Sequence, residues 1–301
     1  EVSFSRPIVK IVTRARSSTS HCKEVRDILF NSLTMVYIEG DCHELIKALP
    51  DNSIDLIYTN PPFGTTQNVW DKPLRWDSLW PEIWRVMKPK GTVVLHCAIP
   101  FTYTLIKSQT PKYHYSILKN NKTGFLGSRF QPLRQNEELC VFYKKHGTYN
   151  AQKTPCKPRT YGRAGQTTYY GKMKGPRGKE KKTVTEMHPT THLKMQINVR
   201  GGKTVSDEMV DFVVKTYSNA GETVLDMTTC NKVVGNRVEL LGRKFIGFDL
   251  NFMFPLDCSS DEDSWEACVE AHEKCKAAAD LADRNVDQPS DSDTPSHLLE
   301  S

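Results

Sequence analysis

Asn60, Pro61, Pro62 and Phe63 follow directly on the apolar run Leu56-Ile57-Tyr58-Thr59, so an amide, two stiff rings and an aromatic stand where a buried strand stops. The exocyclic amine of adenine or cytosine is a poor nucleophile because its lone pair is delocalised into the ring. The Asn60 side-chain carbonyl and the Pro61 backbone carbonyl can each accept a hydrogen bond from one amine proton. That draws the nitrogen towards tetrahedral geometry and aims its lone pair at a methyl donor. No ionisable base is needed. Proline fixes φ near about −65° and has no N–H to donate, so such a turn holds its carbonyls outward with little reorganisation. Pro62 stiffens the turn and Phe63 offers a face on which the base stacks. A base held this way has been flipped out of a duplex or comes from a single strand, since in the stack its amine is paired. The same tetrapeptide also suits an ordinary strand end, because Asn-Pro initiates turns and Pro-Pro breaks strands. Its surroundings have to decide.

A turn of this kind needs a sheet to carry it. Apolar runs and helical periodicity predict strands at residues 35–39, 54–58 and 92–97 and near 113–118 and 138–143, with helices at 42–49, 75–88 and 101–108. Trp76, Leu79, Trp80, Ile83 and Met87 share one face of the second helix, which Pro89-Lys90-Gly91 should stop. Further on come a helix at 205–217, with Met209, Val213 and Tyr217 aligned, strands at 223–226 and 244–249, and a helix at 233–241. Alternation of this kind builds an α/β fold, a doubly wound, mostly parallel open sheet whose ligands sit beyond the strand carboxyl ends. Residues 1–34 mix basic residues with Ser and Thr, carry no clear periodicity and receive no assignment.

Other segments accompany the turn: Gly40-Asp41-Cys42, Leu49-Pro50-Asp51-Asn52-Ser53-Ile54-Asp55, Thr123-Gly124-Phe125-Leu126, Arg134-Gln135-Asn136-Glu137-Glu138 and Gly221-Glu222-Thr223-Val224-Leu225-Asp226. Together they resemble the N4/N6 amino-methyltransferases of DNA, whose signature is Asp, Asn or Ser followed by Pro-Pro and an aromatic. The resemblance covers residues 35–254, and the signature precedes the cofactor strand at 223–226, as in the permuted class called beta. It implies a Rossmann-like, S-adenosylmethionine-dependent methyltransferase fold, S-adenosyl-L-methionine as cofactor, DNA as partner, and methyl transfer to an exocyclic amine. Adenine N6 is preferred over cytosine N4, because Asn or Asp with Pro-Pro-Phe/Tyr is the usual N6 form and Ser leads in most N4 enzymes. Asn60, Pro61, Pro62 and Phe63 are then the catalytic turn, and Asp41, Thr204, Asp226, Thr228 and Asp249 bind the cofactor. Asp249 follows Asp226 at close to the spacing of about 20 seen in dinucleotide folds.

The chain departs from the family at the cofactor turn. Where relatives read roughly Asp-Pro-Phe-x-Gly-Ser-Gly, it reads Asp226-Met227-Thr228-Thr229-Cys230-Asn231-Lys232, with Cβ atoms where φ is expected to be positive and the ligand close. Asn231 tolerates a left-handed conformation and would supply the turn; Lys232 would reach the methionine carboxylate. The relatives' His-Pro-Thr-Gln-Lys-Pro segment is replaced by Gly201-Gly202-Lys203-Thr204-Val205-Ser206. These departures keep open a rival of another class, a non-catalytic nucleic-acid-binding relative with a degenerate cofactor turn.

Charge is distributed unevenly. The formal +6 over 301 residues conceals a net −10 in residues 256–301, leaving +16 on the remainder, a balance that suits a polyanionic partner. Residues 144–182 carry twelve Lys/Arg and one acid, Glu180, interleaved with Tyr149, Tyr161, Tyr169 and Tyr170. They read as a flexible basic insertion ordered by phosphate contacts, in the place of the family's target-recognition region, or as a solvated linker. The domain plan is therefore an N-terminal extension at 1–34, a methyltransferase domain at 35–254 and an acidic, disordered tail at 255–301. Nine cysteines are scattered with no CxxC pair and no His-Cys cluster, so their spacing suggests no metal site and no disulfide framework. An odd number of spread thiols suits a reducing compartment, hence an intracellular location, in cytoplasm or, for a eukaryotic or viral source, nucleus. No apolar run approaches the ~18 residues of a membrane helix, and residues 1–10 lack a signal-peptide core. A start at Glu1 in place of Met reads as a fragment or a trimmed product. The sequence allows a homodimer and does not identify a partner nuclease.

Overall fold

The computed structural model describes residues 9–12, 35–68, 70–120, 128–161, 182–195 and 205–250. Val9–Val12 (β1) and Met35–Glu39 (β2) come first. Asp41 then accepts the His43 N–H at 2.9 Å and so caps the helix Cys42–Ala48 (α1). Ile54–Thr59 (β3), Trp76–Val86 (α2), Met87–Cys97 (β4), Phe101–Ser108 (α3), Tyr113–Asn120 (β5) and Asn136–Tyr143 (β6) complete the first half. After Thr154–Tyr161 (β7), Lys182–Met187 (β8) and His192–Leu193 (β9) come Asp207–Tyr217 (α4), Thr223–Asp226 (β10), Val233–Leu240 (α5) and Lys244–Asp249 (β11).

Nine strands form one sheet in the order β1-β2-β11-β10-β3-β4-β6-β5-β9. The neighbours from β1 to β4 in that order pair in parallel, and β6 runs against both β4 and β5. Strands β10 and β11, last in the chain, thus lie between β2 and β3. Helices α1, α2 and α3 bury Leu45, Ile46, Leu79, Trp80, Ile83 and Leu105 against Ile57, Val93, Leu95 and Phe142 of one sheet face. On the other face α5 comes so close that a Cβ on Gly235 would overlap the Tyr37 hydroxyl and the Phe245 ring. The sheet is doubly wound, as the alternation predicts.

Three features differ from the expectation. Helix α2 ends at Val86 rather than 88, because Met87 is already extended and residues 87–95 pair with β3 across a register shift between Ile54 and Leu56. Strand pairing thereby overrides the helical run before Pro89 acts. Within the unassigned first 34 residues, β1 adds an edge strand to β2. The basic insertion also carries structure: β7 pairs antiparallel with β8, and Asn150 anchors the segment before β7 through its N–H to the Thr216 carbonyl at 2.8 Å and its amide to Lys215, Ser218 and Asn219.

Because β6 is antiparallel, Tyr143 lies level with Thr92, the first residue of β4 that pairs with β6, and Lys144 donates to the Trp84 carbonyl at 2.6 Å, beyond the amino end of β4. The first part of the insertion therefore leaves from the edge opposite the carboxyl end of β3. Residues 162–181 of the insertion, the rest of the N-terminal extension and the acidic tail lie outside the described residues. Among the described residues no helix is long and apolar enough to cross a membrane.

Candidate active site

The Asn60-Pro61-Pro62-Phe63 turn emerges at the carboxyl end of β3, beside the carboxyl end of β10. Two hydrogen bonds join the strand ends: the Met227 N–H donates to Thr59 Oγ1 at 2.9 Å, and the Thr228 hydroxyl donates to the Asn60 carbonyl at 3.1 Å. Among the described residues nothing hydrogen-bonds the Asn60 side chain. Phe63 is half-buried and stacks on Phe101 of α3, with ring centroids 5.3 Å apart and planes 19° apart, so one face of the ring is occupied. Gly64 closes the turn at φ +68°, and a Cβ there would run into the Pro73 ring.

Three of the sequence-predicted acids arise on three consecutive strands. Asp41 follows β2, Asp249 ends β11 and Asp226 ends β10. Asp249 is tied to both neighbours: its carbonyl accepts the Gly40 N–H at 2.7 Å and its Oδ2 accepts the Cys230 N–H at 2.9 Å. The exposed Asp41 accepts Nδ1–H of His43 at 2.8 Å. Burial pushes the Asp41 carboxyl up, but the His43 backbone and ring outweigh that and hold it below the usual range. Asp226 is different. Its side chain is buried and accepts the Thr228 N–H at 3.2 Å, so it shapes the turn from beneath. Burial, and to a lesser extent Asp249, push its carboxyl up to about 7 against the hydrogen bonds from Thr228, Thr59 and Thr229.

In the turn itself, the left-handed residue is Cys230, at φ +33°, rather than Asn231. Asn231 is buried and its Oδ1 accepts the Val233 N–H at 3.0 Å at the start of α5. The asparagine propensity for left-handed backbone is thus spent instead on a capping bond. Thr204 lies outside the described residues. The donor set fits an adenosyl and amino-acid ligand: two accessible carboxylates stand on neighbouring strand ends next to a turn of backbone amides, as hydroxyl and ammonium groups require.

Sequence reasoning missed several residues that the fold brings to this edge. Asp71, seven positions after Gly64, is buried and receives three backbone N–H groups of the catalytic loop. His43 accepts the Arg75 N–H on Nε2 at 3.2 Å, which leaves Nδ1 to donate to Asp41 and links the end of that loop to the candidate cofactor acid. Under the turn, Tyr58 Oη lies 2.8 Å from His96 Nε2, His96 Nδ1 2.7 Å from Glu137, and Lys119 3.1 Å from the same carboxylate, all buried. Burial lowers His96; Glu137, although burial raises it, is held low by His96 and Lys119. The scattered cysteines also include a pair that only the sheet reveals: Cys97 and Cys140, on β4 and β6, have their sulfurs 3.3 Å apart. A pattern of buried polar residues in apolar runs was the available signal for the Tyr58 group; none existed for Asp71.

The strand order, with a base-sized turn and paired acids at one carboxyl edge, defines an α/β protein of the S-adenosylmethionine-dependent methyltransferase class. The family model described as DNA methylase, of the N6/N4 type, matches residues 54–253, and the chain belongs to that family. It is similar to the type II methyltransferase M.BamHI of Bacillus amyloliquefaciens, with 27% identity over 76% of this chain and 57% of that protein. It therefore spans little more than half the length of that relative. The DNA adenine methyltransferase YhdJ of Escherichia coli K12 is 24% identical over 74% of this chain and 80% of its own length. Among solved structures, the cytosine-N4-specific PvuII DNA methyltransferase shares the fold, with a TM-score of 0.54 and 12% identity over 79% of this chain and 92% of that one.

Proposed function

We propose that the chain transfers a methyl group from S-adenosyl-L-methionine to an exocyclic amine of a DNA base, adenine N6 in preference to cytosine N4. The observation that carries this reading is the pair of bonds, Thr228 to Asn60 and Met227 to Thr59, that join the base turn to the cofactor turn. When bound, the cofactor supplies an electrophilic methyl on a sulfonium sulfur. Asp249 and Asp41 would hold its hydroxyl and amine groups, and the backbone amides of the 226–230 turn, supported by Asp226, would face its amino-acid part. Asn60 Oδ1 and the Pro61 carbonyl accept the two amine protons and turn the lone pair towards the methyl; Phe63 covers the base. Attack leaves an extra proton on the nitrogen, which passes to water, since neither acceptor is a base. Positioning and exclusion of water supply most of the acceleration. Membership of the DNA methylase family and the names of its relatives support DNA as substrate. So do exposed aromatics at the same carboxyl edge, Trp70, Tyr103 and Phe130, with Lys72, Arg75, Arg129 and Arg134 exposed beside them. For adenine the support is the Asn-Pro-Pro-Phe form itself and the likeness to YhdJ; the PvuII likeness is one of fold.

One observation favours a second reading. Cys230 has a Cβ in the left-handed backbone region, where relatives have glycine beside the ligand, and this suits a nucleic-acid-binding relative without catalysis. Calorimetric titration with S-adenosyl-L-methionine, with and without DNA, separates the two: absence of binding at millimolar cofactor removes the enzyme reading. Duplexes carrying target adenine or only target cytosine then decide the base. Asn60→Ala should keep cofactor affinity and lose transfer by about 100-fold or more; full activity would take Asn60 out of its role.

A further inference from the structure

The loop after the catalytic turn is held by one carboxylate. Gly64 N–H donates to Asp71 Oδ1 at 2.8 Å, and Thr65 and Thr66 N–H donate to Oδ2 at 2.9 and 2.7 Å. Asp71 is buried, and its own N–H donates to the Asn68 carbonyl at 3.0 Å, which aims the side chain back across the loop. Three successive amides converging on one carboxylate is an anion-binding nest filled from within the chain. Gly64 makes it feasible: its φ of +68° turns the chain, and the absence of a Cβ lets Pro73 close over it. At the far end Arg75 N–H is held by His43. Among the described residues between Phe63 and Trp76 none belongs to a helix or strand, so these contacts, together with the Phe63–Phe101 stack and Leu74 packed on the core, fix the path of the chain from Pro62 onward.

We infer that Asp71 is a positioning residue for methyl transfer: its carboxylate clamps the 64–66 amides and thereby holds Asn60, Pro61 and Phe63 in register with the base. This rests on the base-turn reading above. Burial alone would raise the Asp71 carboxyl, but the amides of Gly64, Thr65 and Thr66 and the Thr66 side chain hold it below the usual range, consistent with a permanently ionised clamp. Asparagine in its place keeps the shape but turns an NH2 group towards amide donors. Gly64→Ala attacks the same contact from the other side, by strain and by collision with Pro73.

The full chain and both variants are compared by amide hydrogen exchange of residues 64–66, by calorimetric cofactor affinity and by kcat with cofactor and duplex DNA saturating. Expected in both variants are exchange at 64–66 faster by about tenfold or more, kcat lower by about 100-fold, and a cofactor Kd within about twofold of wild type. A role confined to stability would lower cofactor affinity and Tm together with kcat, which overturns the inference. Free exchange of these amides in the wild type, or full kcat in Asp71→Asn, also overturns it. Protected amides in a wild type that transfers no methyl to DNA would remove the proposed activity and leave the clamp standing.

Discussion

One of the buried carboxyls at the candidate site, that of Asp226, reports on its own environment through pH. Asp226 has its carboxyl raised to about 7, chiefly by burial, whereas in the unfolded chain it titrates near ~3.9. Between those values the folded protein holds a proton that the unfolded chain has released. The Asp226 contribution is therefore complete below the unfolded pKa and is lost as pH rises through about 7. His96 acts with the opposite sign: burial depresses its pKa, so its neutral folded form gains as the unfolded imidazole deprotonates through ~6.5. Comparison with Asp226→Asn separates the two. The wild-type Tm relative to that of Asp226→Asn should fall by several degrees between pH 5 and pH 8. Parallel Tm profiles by scanning calorimetry would mean that Asp226 is ionised in the folded protein throughout. Burial likewise separates Asp226, which supports the turn from within, from Asp41 and Asp249, which lie nearer solvent.

At the scale of elements, Arg85 of α2 ties that helix to α1 beside the apolar packing the two share. Its guanidinium donates to the Ile46 and Leu49 carbonyls at 2.9 and 2.8 Å, closing the carboxyl end of α1, and to Asp51 and Glu82 at 2.6 and 2.7 Å. Arg85→Met removes the guanidinium from the Leu49 carbonyl and leaves Ile46 only the Leu49 N–H at 3.2 Å; it should cost about 2 kcal/mol, a part of the surface ion pairing being screened. The measurement is a lower urea midpoint at constant m-value; an unchanged midpoint would show that water replaces the guanidinium without loss. Such ties are invisible in sequence, whereas the elements they join are not. Strands β2, β3, β10 and β11 follow from short apolar runs, and α2 and α4 from one-sided periodicity, because burial on one or both faces leaves that imprint. Strand β1, four residues long, and the polar pair β7 and β8 leave none. The site divides the same way. The place of Asn60 to Phe63 at a strand end was legible because the apolar run stops there, and the places of Asp41 and Asp249 because strand ends are predictable. Asp71 and His43 act on backbone amides, which every residue type carries, so no residue pattern announces them. Cys230 was missed in the left-handed role because propensity favours Asn231 there, and propensity yields to the capping bond that Asn231 makes.

Over the whole molecule the charge asymmetry sets how the protein meets a polyanion. The chain carries +6 in total, but residues 256–301 hold −10, so removal of that acidic stretch leaves +16. A long-range field of that size speeds and tightens encounter with DNA in proportion to the phosphates it neutralises, and salt suppresses it with a slope of about −0.9 per phosphate. If the acidic residues compete with DNA for the basic surface, truncation after residue 254 should tighten binding to a non-target duplex by about tenfold or more near 50 mM salt. The difference should shrink steadily and vanish by about 300 mM, where the Debye length is shorter than a few side chains. Transfer to a target duplex at saturating DNA should be unchanged, because the truncated residues lie outside the 54–253 span matched by the family model. Fluorescence anisotropy across a salt series measures the first effect and steady-state kcat the second. Equal affinities for the two forms at every salt concentration would confine the acidic residues to solubility and leave discrimination against non-target DNA to the carboxyl edge of the sheet.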